Sequence, residues 1–464
     1  MLNPGQFERR IGSTGTVAIL AAFVFFGALG YWQVYRTDLG ERETNPRLLR
    51  QFEDPNRGRI LDREGNVLAE SDATGKRRYT DASVAHVLGY IDPRFGSQGA
   101  ELAFNQELSG EEAASWQGAF NAEFQREANK GLDVRLTIDP RVQAAAAAAL
   151  GARKGAVVAL DPRNGEVLAM VSVPTYDPGA LSEALQQDPS SPLLNRATQG
   201  VFPPGSTFKT VTASSALENG AIQPDSIVEC RDEKVFNGFP VSCRNVPQGE
   251  GRYPFRNAFA FSVNAVFAEV GVKLGWQALL ETATRFGFGK PLPFTLDTAP
   301  TQVYGQGSEL TIPLLASTAF GQGELLATPL QMAVVAATVA NSGVLVQPHL
   351  GLAAYDGQTK VIDQLEPAPE RRILDADVAR TMRDMMVAVV DNGQANGVQI
   401  EGVKVGGKTG TAESGRGTSH AWFIAFAPAE NPTIAVAVLV EDGGQGGVVA
   451  SPIAGQVIRA ALGR

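Results

Sequence analysis

Three short groups of residues have the types and spacing for nucleophilic chemistry: Ser206-Thr207-Phe208-Lys209, Ser262-Val263-Asn264 and Lys408-Thr409-Gly410-Thr411. A serine hydroxyl is a feeble nucleophile at neutral pH and needs a base. A lysine serves only when desolvation or a nearby cation keeps its amine uncharged. Ser206 and Lys209 are three residues apart, which on a helix puts them on one face, one turn from each other. Lys408 is the candidate cation. The Ser262 hydroxyl reads as a proton relay between Lys209, Lys408 and a leaving amine, and the Asn264 amide as a holder of a substrate peptide group. Each motif alone has a plainer reading: Ser206 as an N-cap with Lys209 a solvated charge, Ser262 and Asn264 as a loop or cap pair, Lys408 to Thr411 as a surface turn. That all three occur, in this order and in fitting contexts, outweighs those readings.

The elements that must position these residues can be read from the flanking sequence. Pro203-Pro204-Gly205 cannot continue a helix backwards, so a helix is predicted over Ser206 to Asn219, stopped by Gly220. The nucleophile then sits at a helix N-terminus, where free N–H groups favour developing negative charge. Lys408 lies on a predicted strand, Gly402 to Thr411, whose Gly406, Gly407 and Gly410 let a ligand backbone come close, so that a peptide can pair as an added strand. Backbone N–H groups of Ser206 and Thr411 would form an oxyanion hole, and the Thr409 and Thr411 hydroxyls with Lys408 would grip a terminal carboxylate.

Gly155 to Asp161 and Gly165 to Ser172 are β-rich and joined at Asn164-Gly165, a hairpin signal. Ala421 to Ala427 and Thr433 to Glu441 read as further strands, Val142 to Leu150 as a connecting helix and Ile453 to Leu462 as a closing one. Leu330 to Ala340, with Thr328 as cap and Pro329 in the first turn, is apolar nearly all round and must be buried. Strands, helices and strands again imply an antiparallel sheet completed by both ends of a domain. The glycine-rich run Gly443 to Gly447 is expected to be a hairpin tip, not a phosphate cradle.

The chain has 464 residues, 40 Lys+Arg against 49 Asp+Glu and three scattered histidines, an acidic balance that argues against a nucleic acid backbone and a histidine-built metal site as partners. Val17 to Trp32 is almost entirely apolar and Tyr31, Trp32 and Tyr35 cluster at its end, which reads as a single membrane span, with a cleaved signal peptide as the alternative. Arginines after the span outnumber those before it, against the positive-inside count. Long domains translocate largely regardless of flanking charge, so the bulk of the chain is expected outside the cytoplasm. Cys230 and Cys243 either close a loop worth roughly 3 kcal/mol or remain free thiols.

The three motifs together resemble those of the class B penicillin-binding proteins, membrane-anchored D,D-transpeptidases of peptidoglycan synthesis, and most of all the compact penicillin-binding protein A type known from actinobacteria. Arg57 to Arg63 with Gly65 and Leu68-Ala69 resembles the family's N-terminal module, and Leu136 to Asp139 with Gln143 its junction with the catalytic domain. Phe202 to Gly205, Gly321 to Gly323, Pro329 to Met332 and His420 to Trp422 are similar to other family segments.

The resemblance implies an α/β (α+β) architecture of the β-lactamase/transpeptidase type: a five-stranded antiparallel sheet flanked by helices, with a helical subdomain. It divides the chain into a cytoplasmic tip and transmembrane anchor (1–36), a dimerisation-like pedestal (37–150) and a penicillin-binding transpeptidase domain (151–464). Ser206, Lys209, Ser262 and Lys408 take the catalytic roles, and Asn264, Thr409, Gly410 and Thr411 bind substrate, with neither metal nor cofactor. The implied partners are peptidoglycan stem peptides, β-lactam antibiotics, the membrane, and a SEDS-type glycan polymerase with other cell-wall synthesis proteins. Between the span and Gly155 the chain is shorter than the usual pedestal and has no room for a glycosyltransferase module. The same motifs also suit a D,D-carboxypeptidase or a serine β-lactamase, though the anchor and pedestal argue against the latter. A non-catalytic scaffold would predict decayed motifs. His420 is expected to be structural, with a loop-orienting role beside Lys408 as the alternative.

Overall fold

In the computed structural model the described residues are Phe25, 52–110, 131–244, 251–356, 360–364, 370–392, 395–415 and 417–464, without the side chains of 360–364, 392 and 396. The span read at Val17 to Trp32 lies outside them except for Phe25. Among the described residues no helix is long and apolar enough to cross a membrane.

Helix α1 (Pro140–Leu150) starts two residues before Val142: the Asp139 carboxylate accepts the N–H groups of Arg141 and Val142, and Pro140 in the first turn gives up no intrahelical bond. Strands β1 (Gly155–Leu160) and β2 (Val167–Val173) follow, with Gly165 between them in the left-handed region at φ 81°. The middle of the chain supplies α2 (Lys209–Glu218), α3 (Asn264–Arg285) and α4 (Pro329–Ala340). The end supplies β3 (Gly406–Glu413), β4 (Ser419–Ala427), β5 (Ile434–Val440) and α5 (Gly446–Ala461).

The five strands make one sheet in the order β3-β4-β5-β1-β2, antiparallel throughout. The sheet closed by both ends of the domain is therefore present. All of β5 is buried, so both faces of the sheet are covered. Helix α4, itself buried along its whole length, packs on β1, β4 and β5, while α1 and α5 pack on each other and on the sheet. The Thr328 hydroxyl caps α4 by accepting the Gln331 N–H at 3.1 Å, as its sequence position implies.

A second sheet of six strands holds the N-terminal region together. Ile60–Leu61, Val67–Ser71, Arg77–Tyr79 and Asp133–Leu136 are extended by Gly351–Asp356 and Lys360–Gln364, which return from the second half of the chain. At its side the buried Glu101 carboxylate accepts from Arg57 at 2.9 Å and from Arg77 at 2.6 Å, so the buried charges are paired.

Four expectations need correction. Gly443 to Gly447 is no hairpin tip, because β5 is followed by α5, whose first residues are Gly446 and Gly447. A Cβ on Gly446 would stand 2.1 Å from the Trp422 carbonyl oxygen and 2.3 Å from that of Gly410, so a glycine is required where this helix meets the sheet. The closing helix accordingly begins seven residues before Ile453 and runs through Pro452. Ser206 precedes the α-helix instead of opening it: Gly205–Phe208 is a tighter 3-10 turn that leads into α2 at Lys209. The strand read from Gly402 begins only at Gly406, since Ile400 and Val403 pair across a local turn.

Cys230 and Cys243 form a disulfide, with Cα atoms 5.6 Å apart. It clips two small hairpin pairings, Ile227–Glu229 with Arg252–Pro254 and Glu233–Phe236 with Phe239–Ser242.

Candidate active site

The approach to Ser206 is held by hydrogen bonds from two separate elements. The Trp422 indole N–H, on β4, donates to the Pro203 carbonyl at 2.9 Å, and the Thr207 hydroxyl donates to the Pro204 carbonyl at 2.7 Å. Phe208 is fully buried with its ring edge-on to Phe288, centroids 5.3 Å apart, so the turn that carries Ser206 is anchored in the core. Ser206 itself is half-buried in a cleft of about 910 Å³ that is also lined by Ser262, Asn264, Thr409, Thr411 and Phe239.

Lys209 reaches four oxygens with one nitrogen. Its Nζ lies 3.0 Å from Ser206 Oγ, 3.0 Å from Ser262 Oγ, 2.7 Å from the Ser262 carbonyl oxygen and 2.6 Å from Asn264 Oδ1. A carbonyl and an amide oxygen can only accept, and a neutral amine has two N–H groups and one lone pair. The two obligate acceptors therefore match the two N–H groups, and the lone pair is left for a hydroxyl. Burial holds Lys209 well below the usual lysine range, with the charge of Lys408 adding to the effect. Both lysines are fully buried, and neither has a carboxylate partner among the described residues.

Lys408 Nζ donates to Ser262 Oγ at 3.0 Å and to the Thr409 carbonyl at 3.1 Å. Burial lowers its pKa to about 7. Aromatic faces lie over both amines, Phe267 at 5.3 Å from Lys209 and Phe259 at 5.6 Å from Lys408, which keeps the pocket apolar and offsets part of the penalty when a charge is present. Ser262 bridges the two amines through its Oγ. Its φ of 61° is unusual for a residue with a side chain, and that conformation lets its carbonyl and hydroxyl both face Lys209.

On β3 the side chains of Thr409, Thr411 and Glu413 line the cleft while Lys408 and Ala412 face the interior. The Thr411 carbonyl accepts from Gln322 Nε2 at 3.4 Å, so it points away from β4. In an antiparallel ladder the N–H and C=O of one residue point to the same side, so the Thr411 N–H is also directed to the open edge. The sequence-read site residues thus meet in one place: Ser206, Lys209, Ser262, Asn264 and Lys408 in one hydrogen-bonded chain, with Thr409, Gly410 and Thr411 as the adjoining strand edge. Asn264 spends its Oδ1 on Lys209, which leaves its amide NH2 for a ligand. His420 accepts the Asp442 N–H at Nδ1 and stands edge-on to Phe202.

Comparison with known proteins agrees with this geometry. Residues 155–459 match the penicillin binding protein transpeptidase domain, and residues 57–134 the penicillin binding protein A dimerisation domain. The chain belongs to the penicillin-binding protein transpeptidases. It is 37% identical to the peptidoglycan D,D-transpeptidase PbpA of Mycolicibacterium smegmatis over 93% of this chain and 94% of that one. It is 35% identical to the PbpA of Mycobacterium tuberculosis over 93% of this chain and 94% of that one. Among solved structures it is similar to penicillin-binding protein A of M. tuberculosis as its ceftriaxone acyl-enzyme, with a TM-score of 0.81 at 34% identity, covering 89% of this chain and all of that one. The penicillin G acyl-enzyme of the same protein gives 0.78 at 34% identity, covering 88% and 99%.

The five-stranded sheet and helical middle of this penicillin-binding protein are accordingly the transpeptidase fold. Several residues that shape its site carry no local signal. Gln322, Phe259 and Phe267 act only through contacts distant in sequence. The hydrogen bond from Trp422 to Pro203 spans 219 positions, and the segments carrying the two residues could be recognised only by resemblance.

Proposed function

We propose that this chain is a peptidoglycan D,D-transpeptidase that crosslinks stem peptides through an acyl-enzyme on Ser206. The match between the Lys209 amine and its surroundings carries the reading: two obligate acceptors take its N–H groups, which leaves the lone pair for a hydroxyl, and Ser206 Oγ lies 3.0 Å away. As Ser206 Oγ bonds to the penultimate D-alanine carbonyl, Lys209 takes the hydroxyl proton. Negative charge on the carbonyl oxygen is received by the N–H groups of Ser206 and Thr411. The C–N bond then breaks, and D-alanine departs with a proton delivered through Ser262, whose Oγ touches both amines. An amine of a neighbouring stem attacks the ester and gives up a proton through Ser262 and Lys209, the new C–N bond forms as the bond from the acyl carbon to Ser206 Oγ breaks, and that proton returns to Ser206.

Lys408 supplies the cation that, with Thr409 and Thr411, receives the terminal carboxylate. Asn264 holds a substrate peptide group through its free NH2, and Gly410 admits the ligand backbone. β-Lactams are trapped at Ser206 because their ring mimics this substrate and the ester formed is slow to hydrolyse.

The apolar run Val17 to Trp32 supports a single-pass anchor in the cell membrane with the catalytic domain outside the cytoplasm. In this reading 1–36 form the tip and anchor, 37–150 the pedestal and 151–464 the transpeptidase domain, with a SEDS-type glycan polymerase and other cell-wall synthesis proteins as partners. Labelled penicillin on the purified protein is the test. One serine should be acylated, and Ser206→Ala should abolish labelling with the far-ultraviolet circular dichroism unchanged. Label retained in that variant would place the nucleophile elsewhere. Dimer formation from stem peptides, against D-alanine release alone, separates transpeptidation from carboxypeptidation.

A further inference from the structure

Gln322 bridges the cleft. Its side chain leaves the turn that follows the helix Ile312–Ala319 and reaches β3, where Nε2 donates to the Thr411 carbonyl at 3.4 Å, from 89 positions away in sequence. The backbone beneath it is fixed. The Gly321 N–H donates to the Thr318 carbonyl at 2.9 Å and the Gln322 N–H to the Ser317 carbonyl at 3.0 Å. Gly321 and Gly323 on either side stand at φ 90° and 74°, a region that favours glycine. The side chain can therefore turn while the loop stays in place. Its bond to Thr411 is long and exposed, hence weak and easily exchanged.

The acceptor that Gln322 occupies is one that a donor peptide needs. With its terminal carboxylate toward Lys408 and its reacting carbonyl at the Thr411 N–H, the donor runs opposite to β3 along the open edge. In an antiparallel ladder the two residues of a hydrogen-bonded pair exchange both N–H···O=C bonds. The D-alanine residue whose carbonyl meets the Thr411 N–H therefore brings its own N–H to the Thr411 carbonyl. An added strand lies about 4.8 Å from its neighbour, and Gln322, which lines the same cleft, holds its amide in that space.

We propose that Gln322 is a specificity-determining residue whose side-chain amide holds the place of the donor's N–H on the Thr411 carbonyl. A donor with an acylamino N–H beside its reacting carbonyl must displace the amide, whereas one without that N–H leaves it in position. This rests on the serine transpeptidase reading above. The first kind of donor exchanges one hydrogen bond for another and sends the amide to water. The second keeps the bond already present, so the carbonyl is never left bare. Gln322 thus narrows the advantage of acylamino donors. A carbonyl has two lone pairs, and an amide that stayed on it beside the donor would have the opposite effect, which gives the proposal a sign.

The test compares two acylating agents on the full-length protein: benzylpenicillin, whose acylamino N–H stands on the carbon next to the reacting carbonyl, and penicillanic acid, the same fused ring without that group. Acyl-enzyme formation is followed by intact-protein mass spectrometry. Gln322→Met keeps the length of the side chain and removes its donor. In this variant the ratio of second-order acylation rates, benzylpenicillin over penicillanic acid, should rise about twofold to fivefold, the size of one exposed hydrogen bond, through a faster reaction of benzylpenicillin. Gln322→Asn, one methylene too short to reach Thr411, should raise the ratio likewise. Any loss of folded enzyme affects both agents equally and leaves the ratio unchanged. A ratio that is unchanged or lowered in Gln322→Met overturns the inference, and so does one raised only by a slower reaction of penicillanic acid. If instead the unmodified chain formed no acyl-enzyme with benzylpenicillin, the transpeptidase reading itself would fail.

Discussion

The carbonyl oxygen of Gly205 occupies the space that a side chain on Gly321 would need: a Cβ there would stand 1.7 Å from it. Gly321 also has a φ of 90°, where L side chains are strained, so two independent causes require glycine. Because Gly205 is the residue before Ser206, anything placed on Gly321 pushes directly on the nucleophile's turn. Gly321→Ala should therefore lower stability by about 2–3 kcal/mol in urea unfolding and slow penicillin acylation at least tenfold. Acylation at the unmodified rate would show that the turn can move without displacing Ser206.

Acylation should depend on pH through the two lysines. Lys209 acts as a base only when neutral, and burial with the Lys408 charge holds its pKa well below the ordinary value. Lys408 loses its charge at about 7. The second-order rate for a penicillin should thus rise on the acid side as Lys209 loses its proton, and fall above about 7 as the carboxylate-binding cation is lost. The two limbs belong to the coupled pair, since both amines bond to Ser262 Oγ. Lys408→Met should remove the alkaline limb and lower the maximum. A rate that climbs steadily through about pH 9 would assign the cation elsewhere.

The same burial has a sign for stability. Below about 7 the folded and unfolded chains both carry the Lys408 proton, and the folded chain bears the full penalty of a buried charge. Between that value and about 10.4 the folded chain has lost the proton while the unfolded one still binds it, so stability rises with pH. Lys408→Met should be more stable than the parent at pH 6, on the order of 2–4 kcal/mol before packing losses, with the gap closing by about pH 10. Urea midpoints at the two pH values check this. A variant less stable than the parent at pH 6 would mean that the hydrogen bonds of Lys408 outweigh its desolvation.

How much of this was legible in sequence follows from how local each cause is. Thr328 with Pro329 and Asn164-Gly165 act within a few residues, and their helix and hairpin stand where the sequence places them. Ser206 and Lys209 are three residues apart, so their contact was derivable. Ser262 and Lys408, 146 positions apart, could be joined to them only by the demands of the chemistry. The glycine-rich run before the last helix was misread because a distant contact overrides a local signal. Gly446 is a glycine for the sake of Trp422 and Gly410, not for a turn, and so a hairpin tip was expected where a helix begins. Nothing local could announce that Gly351–Asp356 returns to pair with Asp133–Leu136 in the other sheet.

The disulfide should stabilise one wall of the cleft more than the whole protein. Cys230 and Cys243 enclose a short loop, worth roughly 3 kcal/mol through the unfolded state. The hairpins they clip have two strands each, too few to be stable alone, so loss of the bond should loosen them before the five-stranded sheet responds. Amide hydrogen exchange in Cys230→Ser/Cys243→Ser should therefore speed up over residues 227–242 and 252–254 while β4 and β5 keep their protection. Because Phe239 lines the cleft from this module, acylation should slow, but less than in Gly321→Ala, where the serine's own turn is pushed. Uniform acceleration of exchange across β4 and β5 would instead make the clip part of the global folding unit.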